Sequence, residues 1–261
     1  GVTESIALSA SPMPVGQFDT SPYIPAGPEE VVARSGPDRL LALHNARSLR
    51  TAPHVTTVAA VNLGEVLRLR DRVAASLTER EGILLDILPF VLSVVAAALL
   101  EYPLLNAQLR EKADEIRMRR YVNLAFTVQT DEGRLAAPVI RAPEKMSILG
   151  LARTVAELMN RAQTNTLHTD EVRGATFTVT QATADAGILW QTPIIHQPQA
   201  AILSVGNVSR TPVVLEDDTI VVRPLLHLCL AHDARIVDSD TAGKFLGAVK
   251  QGLEEAQFLF A

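Results

Sequence analysis

Near the end of the 261-residue chain, the stretch Leu228-Cys229-Leu230-Ala231-His232-Asp233-Ala234-Arg235-Ile236-Val237-Asp238-Ser239 gathers residue types suited to proton transfer and ion pairing. His232 titrates near neutral pH, Arg235 is a fixed cation, and Asp233 and Asp238 are carboxylates. A mostly apolar run over 221–230 leads into this cluster, and a helical pattern follows from about Thr241. The polar residues therefore stand where a buried strand emerges into a loop, a junction that commonly holds active sites. Each also has a plainer reading. Asp238, just ahead of the helical pattern, fits a helix N-cap, Arg235 a surface charge, and Cys229 a small apolar strand residue. His232 lies two residues before Ala234, roughly 6–7 Å away by strand rise, and shares its face if the strand persists.

The elements that must position this cluster can be read from periodicity. Residues 1–37 carry prolines at 12, 14, 22, 25, 28 and 37 and read as an extended arm or linker, with the folded domain over 38–261. A helix is expected over about 38–50, a strand over 54–63 and an amphipathic helix over 63–77, with a new segment starting at Thr78 or Glu79. The apolar run 83–100 contains Asp86, Pro89 and Ser93 and reads as a buried helix that starts or bends at Pro89. Residues 115–129 and 135–141 read as two strands of a hairpin around Asp131 and Gly133. Ser147 caps a helix carrying Ile148, Leu151, Val155, Leu158 and Met159 on one face. Strands follow over 176–180, 199–206, 212–215 and 220–230, with Glu216-Asp217-Asp218 as a turn. A last helix from about Asp240 carries Phe245, Val249 and Leu253, and the apolar tail Phe258-Leu259-Phe260 is expected to dock on a partner. Mixed strands and helices without strict alternation favour an α/β or α+β domain around a mixed sheet.

Composition narrows the function classes. The chain is 48% apolar and 20% charged with a net charge of -5, enough for a large core and unfavourable for a phosphate backbone, so no nucleic acid partner is expected. No membrane span is expected either. One cysteine excludes an internal disulfide and cannot alone make a zinc site, so no metal is expected. No glycine-rich phosphate loop is present.

The stretch 233–239 resembles the signature of the dihydrolipoyl acyltransferases of 2-oxoacid dehydrogenase complexes and of the related chloramphenicol acetyltransferases, Asp-His-Arg-x-x-Asp-Gly. Asp233, Arg235 and Asp238 stand in register, whereas Ala234 holds the place of the catalytic histidine and Ser239 that of glycine. Further segments match in family order, among them Thr51-Ala52-Pro53-His54, Pro103-Leu104-Leu105-Asn106-Ala107, Thr176-Phe177-Thr178-Val179-Thr180 and Gln197-Pro198-Gln199-Ala200-Ala201. The resemblance implies an α/β, chloramphenicol acetyltransferase-like mixed-sheet domain that forms homotrimers and larger cubic or dodecahedral assemblies. It implies CoA and lipoyl substrates, an oxyanion hydroxyl at Thr180, and an active site shared between subunits. Asp238 would hold the site together through an ion pair, with Asp233, Arg235 and Ser239 near it. A bacterial cytoplasm or a mitochondrial matrix is implied as the location.

In that family the histidine takes a thiol proton, because the thiolate is the nucleophile and a thiol of pKa near 8.5 is only a few per cent ionised at pH 7. None of the six histidines, His44, His54, His168, His196, His227 and His232, has an aspartate four residues on, so the motif is not displaced. Lys112 in Glu111-Lys112-Ala113 only faintly resembles a lipoyl attachment site and reads as a solvated lysine in a helical, charged stretch. Three functional readings follow. The chain resembles component X in lacking the base, which implies a structural core subunit joined to catalytic acyltransferase subunits and other complex enzymes. It could otherwise be a working acyltransferase with a relocated or absent base, or an alanine variant of one.

Overall fold

The computed structural model describes residues 27–256 apart from 31, 34, 111, 113, 132 and 184–186, so the tail Phe258-Leu259-Phe260 lies outside the described residues. Its centre is a seven-stranded mixed sheet. β1 (His54–Asn62) pairs antiparallel with β11 (Ile220–Asp233), which pairs antiparallel with β9 (Ala201–Val205). β9 runs parallel to β8 (Phe177–Gln181) and β8 parallel to β4 (Asn123–Phe126). β7 (Val139–Arg141) closes the edge antiparallel to β4. β10 (Ser209–Val214) pairs with the first half of β11, beyond the reach of β9.

The helices follow from caps and apolar stripes. α1 (Gly36–Thr51) begins at Ser35, whose hydroxyl accepts from the Asp38 N–H at 3.2 Å. α2 (Gly64–Glu81) runs through Thr78 and Glu79, the expected start of a new segment, and stops where Gly82 takes φ +67. A residue without Cβ takes this left-handed turn without strain. α3 (Leu88–Glu101) starts one residue before Pro89, which occupies the first turn, where its missing N–H is not needed. α4 (Ile148–Gln163) is capped by the Ser147 hydroxyl, which accepts from the Gly150 N–H at 3.2 Å. α5 (Ser239–Glu255) follows the cluster and packs on β1 and β11, with α2 and α3 against it.

Phe245, Val249 and Leu253 of α5 are fully buried against Leu226, Leu228 and Leu230 of β11 in one continuous core. The Phe245 ring meets Tyr102 edge-on at 6.2 Å and Phe177 at 5.9 Å, so it joins α5 to α3 and β8. Truncating such a ring to alanine costs about 3–5 kcal/mol. On the other face of the sheet, Ile195 covers Ile202 and Ala231.

The region read as one long hairpin over 115–141 is divided. β3 (Glu115–Arg117) pairs with an unanticipated β2 (Gln108–Arg110), and β5 (Val128–Gln129) pairs with β6 (Leu135–Ala136). Lys112 therefore sits in the turn of the β2–β3 ribbon, not in a helix. Among the described residues, no helix is long and apolar enough to cross a membrane.

Candidate functional site

β11 delivers Asp233 into the protein interior with no exposed surface, and a buried carboxylate requires a partner. Arg235 supplies it with a two-pronged grip: Nε donates to Oδ1 at 3.0 Å and Nη2 to Oδ2 at 2.7 Å. The Arg235 backbone N–H donates to Oδ1 as well, at 3.0 Å. Two residues apart at a strand end, the pair closes the loop on itself and fixes Ala234 between its members. The Ala234 N–H donates to the Pro53 carbonyl at 3.0 Å and the Asp233 N–H to the Ala200 carbonyl at 2.8 Å. The Ala234 methyl is exposed.

Asp238 is the N-cap of α5. Its carboxylate accepts from the Thr241 N–H at 2.8 Å and the Thr241 hydroxyl at 2.9 Å. Those hydrogen bonds hold its pKa below the usual aspartate value. Among the described residues the ion pair of this cluster is made by Asp233, and Asp238 orders the helix start that carries Ser239 on its first turn.

His54 lies beside this loop, opposite Asp233 in the β1–β11 register. Its Nδ1 faces the Ala52 carbonyl at 2.7 Å, which can only accept, so Nδ1 carries the proton. Nε2 accepts from the Ile195 N–H at 3.0 Å. Both nitrogens are committed to backbone, and sequence reasoning had no signal for this beyond the Thr51-Ala52-Pro53-His54 segment. His232 is fully buried on the helix side of the sheet, in line with Leu226, Leu228 and Leu230, and neither ring nitrogen has a partner. Burial lowers its pKa, against the opposing charges of Asp238 and Asp233. It is a core side chain, not a base near Ala234. His44 and His196 stack at 4.4 Å between α1 and the loop before β9. Cys229 is a buried free thiol whose pKa burial raises. No cluster of metal-ligating side chains occurs among the described residues.

Thr180 stands near the end of β8, half-buried, with its hydroxyl 2.9 Å from that of Thr127. The sheet register sets it apart from the loop at Ala234. Thr180 is level with Ser204 and Ser204 with Cys229, five residues before Ala234 along β11. At strand rise that is about 16 Å along the sheet, with two inter-strand steps of about 5 Å across it. Asp233, Ala234, Arg235, Asp238 and Ser239 therefore form one cluster, and Thr180 lies toward the opposite end of the same sheet.

The mixed sheet, with a buried Asp–Arg lock at the end of its longest strand, makes this an α/β domain. The chain belongs to the 2-oxoacid dehydrogenases acyltransferase (catalytic domain) family, whose model matches residues 27–261. It is 38% identical over 215 residues to the dihydrolipoyllysine-residue acetyltransferase component of the pyruvate dehydrogenase complex of Mycobacterium bovis, covering 81% of this chain and 38% of that protein. The chain thus spans well under two thirds of that relative. Among solved structures it is similar to a dihydrolipoamide acetyltransferase from Azotobacter vinelandii, at 30% identity and TM-score 0.84, covering 92% of this chain and 100% of that one. That structure addresses the roles of a serine, a histidine and an asparagine in catalysis, the last two four positions apart. The cubic core of a pyruvate dehydrogenase multienzyme complex matches with the same values. A chloramphenicol acetyltransferase shares the fold at 13% identity and TM-score 0.50, covering 80% and 93% of the two chains.

Proposed function

We propose that this chain is an acyltransferase-like core subunit of a 2-oxoacid dehydrogenase-type complex in which the general base is missing and the role is structural. The observation that carries this reading is the lock at Asp233 and Arg235, which holds an exposed Ala234 methyl where the motif has histidine. The histidine and asparagine of the Azotobacter relative are four positions apart, as are Ala234 and Asp238, which supports the register. His54 and His232, the imidazoles nearest in the register, are respectively committed to backbone and buried without access. Ser239 and the loop after Thr180 depart from the family pattern too, which fits drift after catalysis was lost.

Within this reading the chain forms a homotrimer, and Thr180 of one copy faces Ala234 of the next. The cubic core among its structural relatives supports a larger shell. CoA and lipoyl thiols are the ligands such a site would take, residues 1–37 its linker, and a bacterial cytoplasm or a mitochondrial matrix its location. The preserved lock favours a second reading, an active enzyme reduced to alanine at one position. Ala234→His separates the two. In a drifted subunit the single change restores little transfer between acyl-dihydrolipoamide and CoA without Ser239→Gly and a changed loop after Thr180. Full activity from Ala234→His alone would leave the second reading standing.

A further inference from the structure

Two side chains of α1, one helical turn apart, reach the segment that precedes β9. The Ser48 hydroxyl donates to the Ile195 carbonyl at 2.6 Å. The His44 ring lies against that of His196, with centroids 4.4 Å apart and planes tilted by 34°. Little else anchors the helix. Among its described residues only Ser48 is fully buried, and Leu40, Leu43 and Leu49 stay exposed at 69%, 56% and 56%, so no apolar stripe holds it down. A change in the histidine pair therefore acts on a helix that has few other attachments.

The surroundings of the pair do not favour a proton. His44 Nε2 is buried with no hydrogen-bond partner among the described residues. α1 carries Arg39, Arg47 and Arg50 against a single acid, Asp38, which is engaged by the Ser35 cap. Residues 192–200 hold no ionisable side chain besides His196, and the one ionisable group of β1 is His54, both of whose nitrogens face backbone. At the end of β11, Asp233 is gripped by Arg235. His196 keeps part of its surface in water, which lets a proton arrive without unfolding. Burial of the remainder, and then the charge of His44, lower its pKa.

We propose that the His44–His196 pair is a pH-sensitive latch, which seats α1 on the domain at neutral pH and releases it in mildly acidic solution. Two imidazolium rings stacked this closely repel each other, whereas released rings are separate and hydrated. The released rings take up protons near the ordinary pKa of about 6.5, so the seated state is fully favoured above that pH and loses ground as pH falls below it. A proton refused by one seated ring favours release by up to about 25-fold between pH 7 and pH 5. The effect reaches the cluster at the end of β11. Ile195, which holds Ser48 by its carbonyl, donates its N–H to His54 at 3.0 Å, and Pro53, two residues past the helix, accepts the Ala234 N–H at 3.0 Å. The latch does not depend on whether the chain transfers acyl groups.

Amide hydrogen exchange over residues 38–51, corrected for the intrinsic effect of pH, reads the seating of the helix. Protection in the original chain should fall at least about threefold, and up to about 25-fold, from pH 7 to pH 5. His44→Phe with His196→Phe keeps two facing rings that take no proton, and its protection should stay within about twofold over the same range. A smaller change in the original chain, or an equally steep fall in the double variant, would overturn the proposal. If the double variant does not fold, imidazole proton signals of the original chain give a second measurement by NMR. His196 should titrate below pH 6.5, with exchange of α1 rising as it does so. Titration of His196 at or above that pH would contradict the latch.

Discussion

Thr180 and Ala234 lie at opposite ends of one sheet, two strands apart and about 16 Å apart along the strands. Both are held by the backbone register, so no side-chain rearrangement brings a hydroxyl at Thr180 to a substrate bound at Ala234 of the same chain. Whatever transfer an Ala234→His chain performs should therefore depend on assembly. Its specific activity is expected to fall when the protein is diluted below the concentration at which copies dissociate. A rate per chain that stays constant through dissociation would place both groups within one copy.

The Asp233–Arg235 pair is the mechanical lock of the loop. Arg235→Leu leaves a fully buried carboxylate with, among the described residues, only the residue 235 backbone N–H as donor and should destabilise the fold by about 1.5–3 kcal/mol, the range for hydrogen bonds to charged groups. Urea unfolding measures it. Removing both charges together, with Asp233→Asn added, should recover part of the loss, because most of the cost comes from leaving a buried charge unpaired. A single-variant loss below about 0.5 kcal/mol would show that the pair does not hold the loop.

Stability should depend on pH in two separate windows. His232 has a folded pKa below its unfolded value near 6.5, so below that pH the unfolded chain binds a proton that the folded chain refuses. Stability is complete above pH 6.5 and declines as pH falls. His196 shifts the same way through burial and the charge of His44. Asp238 acts lower, its stabilisation present above the ordinary aspartate range and lost as pH falls through its lowered pKa. His232→Leu should gain melting temperature relative to the original chain progressively from pH 7 to pH 5. A difference that does not change with pH would contradict this assignment.

Gly206 lies in the connection from β9 to β10. A Cβ there would lie 2.1 Å from the Leu189 carbonyl oxygen and 2.9 Å from that of His227, both backbone. Gly206→Ala should cost about 1–3 kcal/mol, the usual penalty of overpacking. Unchanged melting would show that the segment yields freely.

The long apolar run of β11 and the 3.6-residue period of α5 made the strand, the loop and the helix legible, because burial on one face imposes those patterns. Ser147 and Asp238 announced themselves as caps for the same local reason. The stretch 115–141 did not read correctly, because its pairing is settled by distant strands. The Thr127 N–H goes to Val179 and the Phe126 N–H to Pro138, which splits the run into β4 and β5. The role of Asp233 was likewise hidden. Burial separates Asp233 from Asp238, and burial at a strand end depends on Ala200 and Pro53, far away in sequence.

The central claim, that no side chain of this protein acts as general base, is tested most directly by the pH profile of transfer from S-acetyldihydrolipoamide to CoA. Without a base, only the CoA thiolate reacts. Its fraction is roughly 3% at pH 7 for a thiol of pKa near 8.5, so any rate should be weak and rise about tenfold per pH unit up to that pKa. A rate that instead levels off near neutral pH, on the titration of an imidazole, would contradict the account.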